Sequence, residues 1–265
     1  MTVRIILLST FIYLLHSTVN SQIISIDKTD TLTYSHKAKW EGNISEGIEI
    51  DKQNTTLFDA SNAVDFSVSK WKNLFIFSGS ERFTFTSSQD FLNTGYLHLR
   101  WRYNYKNKLH AEAYAQYQWD DKIGMKYRCV GGSNIRYNIL HKTKSDLVIG
   151  SGLLFETEKW NYDGVDTSKI HTTGPAIYVE KVKSSSYVKW EGSLSSTTNL
   201  STAIFYQGTF DNYFQPRISG NINLDAAINT HLGFGFKIYC MYDSNPIVPI
   251  TNFYWSFSNS FTYKL

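Results

Sequence analysis

Residues 96–119 read YLHLRWRYNYKNKLHAEAYAQYQW. Apolar or aromatic side chains at positions 97, 99, 101, 103 and 105 alternate with polar ones at 98, 100, 102 and 104. Alternation with a period of two is typical of a β-strand that has one apolar and one polar face. The short KNK segment separates this run from a second alternating run, so the stretch predicts a β-hairpin. Alternation alone does not decide which of the two faces meets water.

The same alternation recurs from about residue 37 to the last residue, and we count twelve candidate strands. Closed single-chain outer-membrane barrels have an even number of antiparallel strands. Every second connection is expected on one side of such a sheet, near residues 70–72, 106–108, 140–145, 196–199 and 229–231. The other connections fall near residues 51–55, 87–93, 121–123, 159–184, 209–213 and 242–250. Short turns on one side and longer loops on the other are typical of periplasmic turns and extracellular loops.

Three features indicate that the polar face is the inner one. About eight strands already enclose just enough space for side chains, so twelve strands around an apolar interior would leave a void. Aromatic residues gather at strand ends, as interfacial girdles do, in the pairs Tyr103/Tyr105, Tyr117/Trp119, Phe155/Trp160, Tyr239/Tyr242 and Phe253/Trp255. The polar face carries both charge signs, and each charge would cost about 2–4 kcal/mol if it faced hydrocarbon at the midplane. The sequence therefore predicts an all-β, antiparallel, up-and-down transmembrane β-barrel of about twelve strands with a polar lumen.

The two ends of the chain fit the same interpretation. Arg4, an apolar run over 5–15 and small residues near 19–21 predict a signal peptide over 1–21, cleaved before Gln22. We expect a periplasmic segment over 22–35 and the barrel over 36–265. The last predicted strand alternates up to Leu265, so it is expected to pair with the first strand and leave no edge exposed to lipid. Its end, FTYKL, resembles the closing signal that the bacterial barrel-insertion machinery reads.

Composition excludes several classes of protein. A formal net charge of +3 gives no basic footprint for nucleic acid. Two cysteines in 265 residues do not make a disulfide scaffold. Cys129 and Cys240 lie on apolar faces of non-neighbouring strands, so two free thiols are expected. We expect no cofactor and no metal, because the histidines are scattered and no zinc-binding motif occurs.

The polar face supplies the candidate functional residues. Basic residues on predicted strands four and six stand beside acids on strand five, an arrangement that favours small anionic or polar solutes in a narrow pore. The same charges would neutralise one another in a lumen too tight for solute, so a passive channel and a structural envelope protein both stay open. The candidate lumen-lining residues are His98, Arg100, Arg102, His110, Glu112, Lys126, Arg128, Arg136, Glu156, Lys189, Glu191 and Arg217.

Two other functions are alternatives. An outer-membrane lipase or protease would need a nucleophile beside an oriented base, and His98 and His110 beside Glu112 are the nearest approach. No serine-hydrolase elbow or zinc-protease motif occurs, so we expect no enzyme. A soluble secreted barrel that binds an apolar ligand has the same alternation with its faces exchanged. The connection over 159–184 is expected to be a lid over the mouth or an extension of its flanking strands through the run AIYV.

The carboxyl-terminal half resembles a known family. Tyr206-Gln207, then a short strand, then Tyr242-Asp243-Ser244-Asn245-Pro246 before the last strand are similar in order to the salt-induced outer-membrane protein family. The opening WEGNISEG, residues 40–47, resembles that family's first strand less specifically. The resemblance implies a Gram-negative outer-membrane β-barrel of unassigned activity, and it carries no catalytic residue.

Overall fold

The computed structural model consists of one antiparallel β-sheet. It describes residues 38–52, 56–86, 91–105, 107–142, 144–163, 165, 167–170, 176–230 and 232–263. The predicted signal peptide over 1–21, the periplasmic segment over 22–35 and the terminal Lys264-Leu265 lie outside the described residues. In the described part of the chain, no helix is long and apolar enough to span a bilayer.

Twelve strands follow one another in up-and-down order, and each pairs with the next, which confirms the predicted number and topology. The strands are β1 (Lys39–Lys52), β2 (Thr56–Lys70), β3 (Asn73–Thr86), β4 (Phe91–Tyr103), β5 (Leu109–Asp120), β6 (Met125–Lys142), β7 (Ser145–Trp160), β8 (Ile177–Ser193), β9 (Thr198–Thr209), β10 (Arg217–Ala227), β11 (Leu232–Asp243) and β12 (Phe253–Tyr263). Among the described residues of the connections, two short 3₁₀ turns occur, Asp121–Ile123 and Thr167–Lys169.

The two ends of the sheet differ as predicted. The turn end carries the short connections 71–72, 104–108, 143–144, 194–197 and 228–231. The loop end carries the connections 53–55, 87–90, 121–124, 161–176, 210–216 and 244–252. Trp71, in the tightest turn, has a positive φ of 56°. Since few residues other than glycine, asparagine and aspartate adopt this conformation, the Lys70–Asn73 turn stores backbone strain.

The predicted connection over 159–184 is wrong at both ends. β7 continues to Trp160 and β8 begins at Ile177, so the connection covers 161–176 only. The run KVKSSS looks like a loop because it is polar, yet Lys183 to Ser186 pair with residues 151–154 of β7. Backbone pairing with a long neighbour therefore outweighs the low strand propensity of three serines. The alternative in which the AIYV run extends the flanking strands is confirmed.

The sheet curls so that one face becomes concave. The Tyr187 hydroxyl on β8 donates to Glu112 of β5 at 2.6 Å, and Arg217 on β10 reaches Glu158 of β7 at 2.9 Å. We call this concave side the inner face. Among the described pairs the ladder ends at β1 and β12, so the sheet is not closed and the expected pairing of the last strand with the first is absent from it. Each edge strand is held by a single neighbour.

The outer face is apolar and exposed along the middle of the strands. Its large exposed side chains include Leu97, Leu99, Ile135, Leu153, Phe155, Val188 and Ile204. Free Cys129 and Cys240 also lie on it, on β6 and β11. Three residues predicted for the aromatic girdles are instead buried, namely Tyr105, Trp160 and Tyr239. Trp160 and Tyr239 occupy inner-face positions of their strands, and Tyr105 packs beyond the end of β4 on Leu74 and Ile76.

Candidate functional site

The inner face holds a buried group of charges near the loop end. Alternation along each strand turns one side chain of every two inward, and the six that meet here are Arg128, Glu156, Glu158, Lys183, Arg217 and Asp243, called the loop-end cluster. Arg128 Nη2 lies 2.6 Å from Glu156 Oε2, and Arg128 Nε lies 2.9 Å from Glu158 Oε1. Lys183 forms an ion pair with Glu156. With three cations and three carboxylates, the cluster is formally neutral.

Within the loop-end cluster, Arg217 on β10 links Glu158 on β7 to Asp243 on β11. Its Nη1 donates to Glu158 Oε1 at 2.9 Å and its Nε donates to Asp243 Oδ2 at 2.8 Å. The side chains of Arg217, Glu158 and Asp243 are at most 12% exposed. Buried charges persist in a folded protein only when they are paired, and each of these charges has a partner of opposite sign.

A second buried cluster lies nearer the turn end and is basic. The turn-end cluster consists of Arg100, Arg102, Glu112 and Arg136, together with the Tyr187 hydroxyl. Glu112 Oε1 lies 2.7 Å from Arg102 Nε, 3.5 Å from Arg136 Nη1 and 3.9 Å from Arg100 Nη1. Arg100 also stands 5.7 Å from the centre of the Tyr114 ring. One carboxylate therefore faces three guanidinium groups, and aromatic π-faces add weaker stabilisation.

An apolar layer separates the two clusters, which a purely polar lumen does not predict. Its members are Tyr114, Val130, Val148, Leu154, Tyr187, Ala203 and Phe205, all at most 5% exposed. On β6, which carries members of both clusters, Val130 lies between Arg128 and Arg136. The rings of Tyr187 and Phe205 are 5.5 Å apart. The interior along these strands is therefore filled with side chains.

Glycines on the inner face make room for the two tyrosine rings. A Cβ at Gly132 would lie 2.5 Å from the Tyr114 hydroxyl oxygen, and a Cβ at Gly150 would lie 2.2 Å from Cε1 of Tyr187. Both distances are too short for any side chain. Glycine within a strand marks such a close approach, so the rings lie directly over the backbone of the neighbouring strands.

Connections at the loop end form an apolar cap. Val165 of connection 161–176 and Val248 of connection 244–252 pack with Met125 and Trp160. Lys126 bridges this cap to the 3₁₀ turn, because its Nζ lies 2.9 Å from Asp163 and 3.2 Å from Asp121. Hydrogen bonds from Lys126 and Asn161 lower the pKa of Asp163. The described part of connection 161–176 therefore packs as a cap over the β6–β7 side of the mouth.

The candidate residues fall mostly where the sequence places them. Ten of them are buried on the inner face: His98, Arg100, Arg102, His110, Glu112, Arg128, Arg136, Glu156, Lys189 and Arg217. Glu191 is partly exposed and pairs with Lys189 at 2.6 Å. The prediction for Lys126 is wrong, since a register irregularity between Met125 and Tyr127 displaces it to the rim. His98 meets Gln116 at 3.0 Å and stacks on Tyr114, so its described contacts are to an amide and a ring.

Several important residues are absent from the predicted set: Gln118, Glu158, Lys183, Tyr187, Gln207 and Asp243. Glu158, Tyr187, Gln207 and Asp243 share the inward parity of their strands, and this parity can be read from the sequence. Lys183 falls within the predicted connection over 159–184, so the sequence does not assign it to a strand face. Among the described residues, no group of three or more metal-ligating side chains occurs.

This chain is similar to a solved structure and matches a family model. The translocator domain of the autotransporter NalP from Neisseria meningitidis is similar to this chain at 12% identity and a TM-score of 0.33, over 88% of this chain and 84% of that one. No curated protein matches. A family described as a protein of unknown function, DUF481, matches residues 47–263, and over this span the chain belongs to that family.

Proposed function

We propose that this chain is a bacterial outer-membrane β-barrel protein with a filled interior, and that its role is structural rather than enzymatic. The observation that carries the proposal is the inside-out distribution of side chains. Arg128, Glu156 and Glu158 are fully buried, whereas Ile135 and Ile204 are 63% and 58% exposed. Soluble proteins have the opposite arrangement, because charged groups are rarely buried and large apolar patches rarely exposed. A hydrocarbon environment around the outer face explains why its apolar side chains are exposed while the charged ones are buried inside.

The outer face supports contact with lipid in further detail. Phe77, Leu97, Leu99 and Phe155 border a shallow apolar depression of about 400 Å³ whose floor includes Ala115. Acyl chains would fill such a depression. At the strand ends, indole nitrogens of Trp101 and Trp119 donate to Asn73 and Asn93, each at 2.9 Å. Aromatic rings with a polar contact are suited to the interface between lipid and water.

Closure of the barrel is part of the proposal. In lipid, every backbone N–H and C=O needs a partner, so β1 and β12 would pair in the membrane. The remaining expected partners are outer-membrane lipid and the barrel-insertion machinery, which would read the end of the last strand.

A narrow channel is the second candidate function, and one observation favours it. On the inner face, Asn223 is only half-buried, and Asp225 and Lys237 are exposed, in contrast to the buried clusters on β4 to β8. Water beside β10 and β11 would then give small anionic or polar solutes a path around the apolar layer. Conductance across planar bilayers separates the two candidates, because discrete openings occur only if that path is continuous.

Refolding tests the membrane proposal. The protein is expected to need detergent or lipid for solubility and to migrate faster on a gel before heating than after heating. A protein that stays monodisperse without detergent would support the soluble-barrel alternative and overturn the proposal. Lipase and protease assays on the same refolded material are expected to give no turnover above that of a heat-denatured sample, and turnover would favour the enzyme alternative.

A further inference from the structure

A polar cavity of about 320 Å³ opens beside the loop-end cluster, at the β8–β11 side of the mouth. Its floor consists of Lys183, Gln207, Arg217 and Asp243, which come from four successive strands. Connections 210–216 and 244–252 supply part of its rim through Asp211, Asn212, Gln215, Asn245 and Ile247. The loop ends of β8 and β9 complete the rim with Glu180, Lys181, Val182 and Thr209. The volume lies at the lower end of ligand pockets, which measure roughly 300–1,000 Å³.

Gln207 has a buried donor without a partner. Its side chain is 1% exposed, and its Oε1 accepts from Arg128 Nη2 at 3.1 Å. A guanidinium group only donates, so this contact fixes which end of the amide faces Arg128. Gln207 Nε2 therefore points away from Arg128, and it has no hydrogen-bond partner. An unsatisfied buried donor is costly, and the cavity that Gln207 lines is the place where a ligand would satisfy it.

The floor offers donors rather than acceptors. Both oxygens of Asp243 already accept hydrogen bonds, Oδ2 from Arg217 Nε at 2.8 Å and Oδ1 from the Asn245 amide at 3.1 Å. Lys183 has three N–H donors, and its ion pair is to Glu156, beneath the floor. The groups left for a ligand are the Gln207 amide and the remaining donors of Lys183, beside a positive charge.

We propose that this cavity binds the carboxylate or phosphate group of a small solute, up to about the size of a sugar acid. The oxyanion accepts from Gln207 Nε2 and from Lys183, and rim amides such as Asn212 contact the rest of the solute. The proposal goes beyond a structural role and does not depend on a conducting lumen. A barrel that conducts no solute, or a sheet that is soluble without lipid, would keep the same cavity.

Calorimetry on the refolded full-length protein tests this site. The probes are inorganic phosphate and glucuronate, with glucose as the neutral comparison, all in low-salt buffer. The informative variant is Gln207→Glu, which preserves the acceptor for Arg128 but replaces the free donor with a carboxylate oxygen. The matched control is Gln118→Glu, because Gln118 Oε1 also faces Arg128, at 3.4 Å, but does not line the cavity.

Binding of at least one anion, with little or no binding of glucose, is expected for the wild type and for Gln118→Glu. Gln207→Glu is expected to weaken that binding about tenfold or more, since a hydrogen bond to a charged group is lost and a repulsion is added. Phosphate binding alone would identify a phosphate site, and binding of both anions a general oxyanion site. The proposal would be overturned if neither anion bound or if glucose bound equally well. It would also be overturned if both variants lost anion binding equally while their gel mobility stayed unchanged.

Discussion

Replacing Glu156 by glutamine would test the buried charges most sharply. Glu156 is fully buried and meets Arg128 at 2.6 Å, Arg217 at 3.7 Å and also Lys183. Glutamine keeps the size and one acceptor oxygen but removes the negative charge. Breaking a buried ion pair costs about 3–5 kcal/mol, and the acceptor that remains argues for the lower end, about 3 kcal/mol. At an m-value of about 1–3 kcal/mol per molar urea, the unfolding midpoint falls by about 1–3 M.

The assay is urea unfolding of the protein refolded in lipid vesicles. The folded fraction at each urea concentration is read from the gel band that shifts on heating. Glu180→Gln is the matched control, because Glu180 is an exposed residue of β8 that belongs to neither buried cluster, and its effect is expected to stay within about 0.5 kcal/mol. The double variant Glu156→Gln/Lys183→Met should lose less stability than the two single variants together, since it removes both members of a pair. Equal midpoints for Glu156→Gln and Glu180→Gln would refute the reasoning that this network stabilises the fold.

Three further outcomes follow from the geometry. Gly150→Ala should destabilise the fold by about 1–3 kcal/mol through overpacking, because the new Cβ would lie 2.2 Å from the Tyr187 ring. The control Gly131→Ala should be neutral, because a Cβ there meets nothing within 4 Å. Equal melting temperatures of the two variants would contradict the overpacking. Leu99→Arg on the outer face should lower the yield of vesicle insertion, at a cost of about 2–4 kcal/mol near the midplane, and Leu194→Arg in a turn should not; equal yields would argue against a lipid-facing β4. Cys129 and Cys240 should react with a lipid-soluble maleimide faster than with a water-soluble one, and a disulfide on a non-reducing gel would contradict their placement on separate outer strands.

Period-two alternation predicts the strands well because each strand has one apolar face and one polar face. It predicts the inward position of Arg128 and Glu156, and the same parity rule identifies Glu158 and Asp243 once every strand is followed to its end. Parity also distinguishes Phe155 on the outer face from Trp160 on the inner face. Proximity to a strand end alone does not separate these two residues.

Alternation fails where pairing between strands decides the geometry. The irregularity at Met125 to Tyr127 moves Lys126 to the rim, and a sequence read as a regular strand contains no sign of it. Contacts across the interior, such as Tyr187 with Glu112, depend on how the sheet curls and not on the neighbours along the strand. The apolar layer is missed for a related reason, since its members come from five strands and each strand contributes only one or two of them to a polar face.

Spin-label accessibility tests the central claim most directly, namely that the outer face meets lipid and the interior is filled. In a background with Cys129→Ser and Cys240→Ser, single cysteines would replace outer Leu99 and Ala115 and the buried inner residues Ser185 and Ser219. We predict that the outer labels are relaxed by oxygen, which partitions into lipid, and that the inner labels are protected from both oxygen and a water-soluble nickel complex. Outer labels relaxed mainly by the nickel complex would contradict the membrane assignment, and inner labels freely relaxed by it would contradict the filled interior.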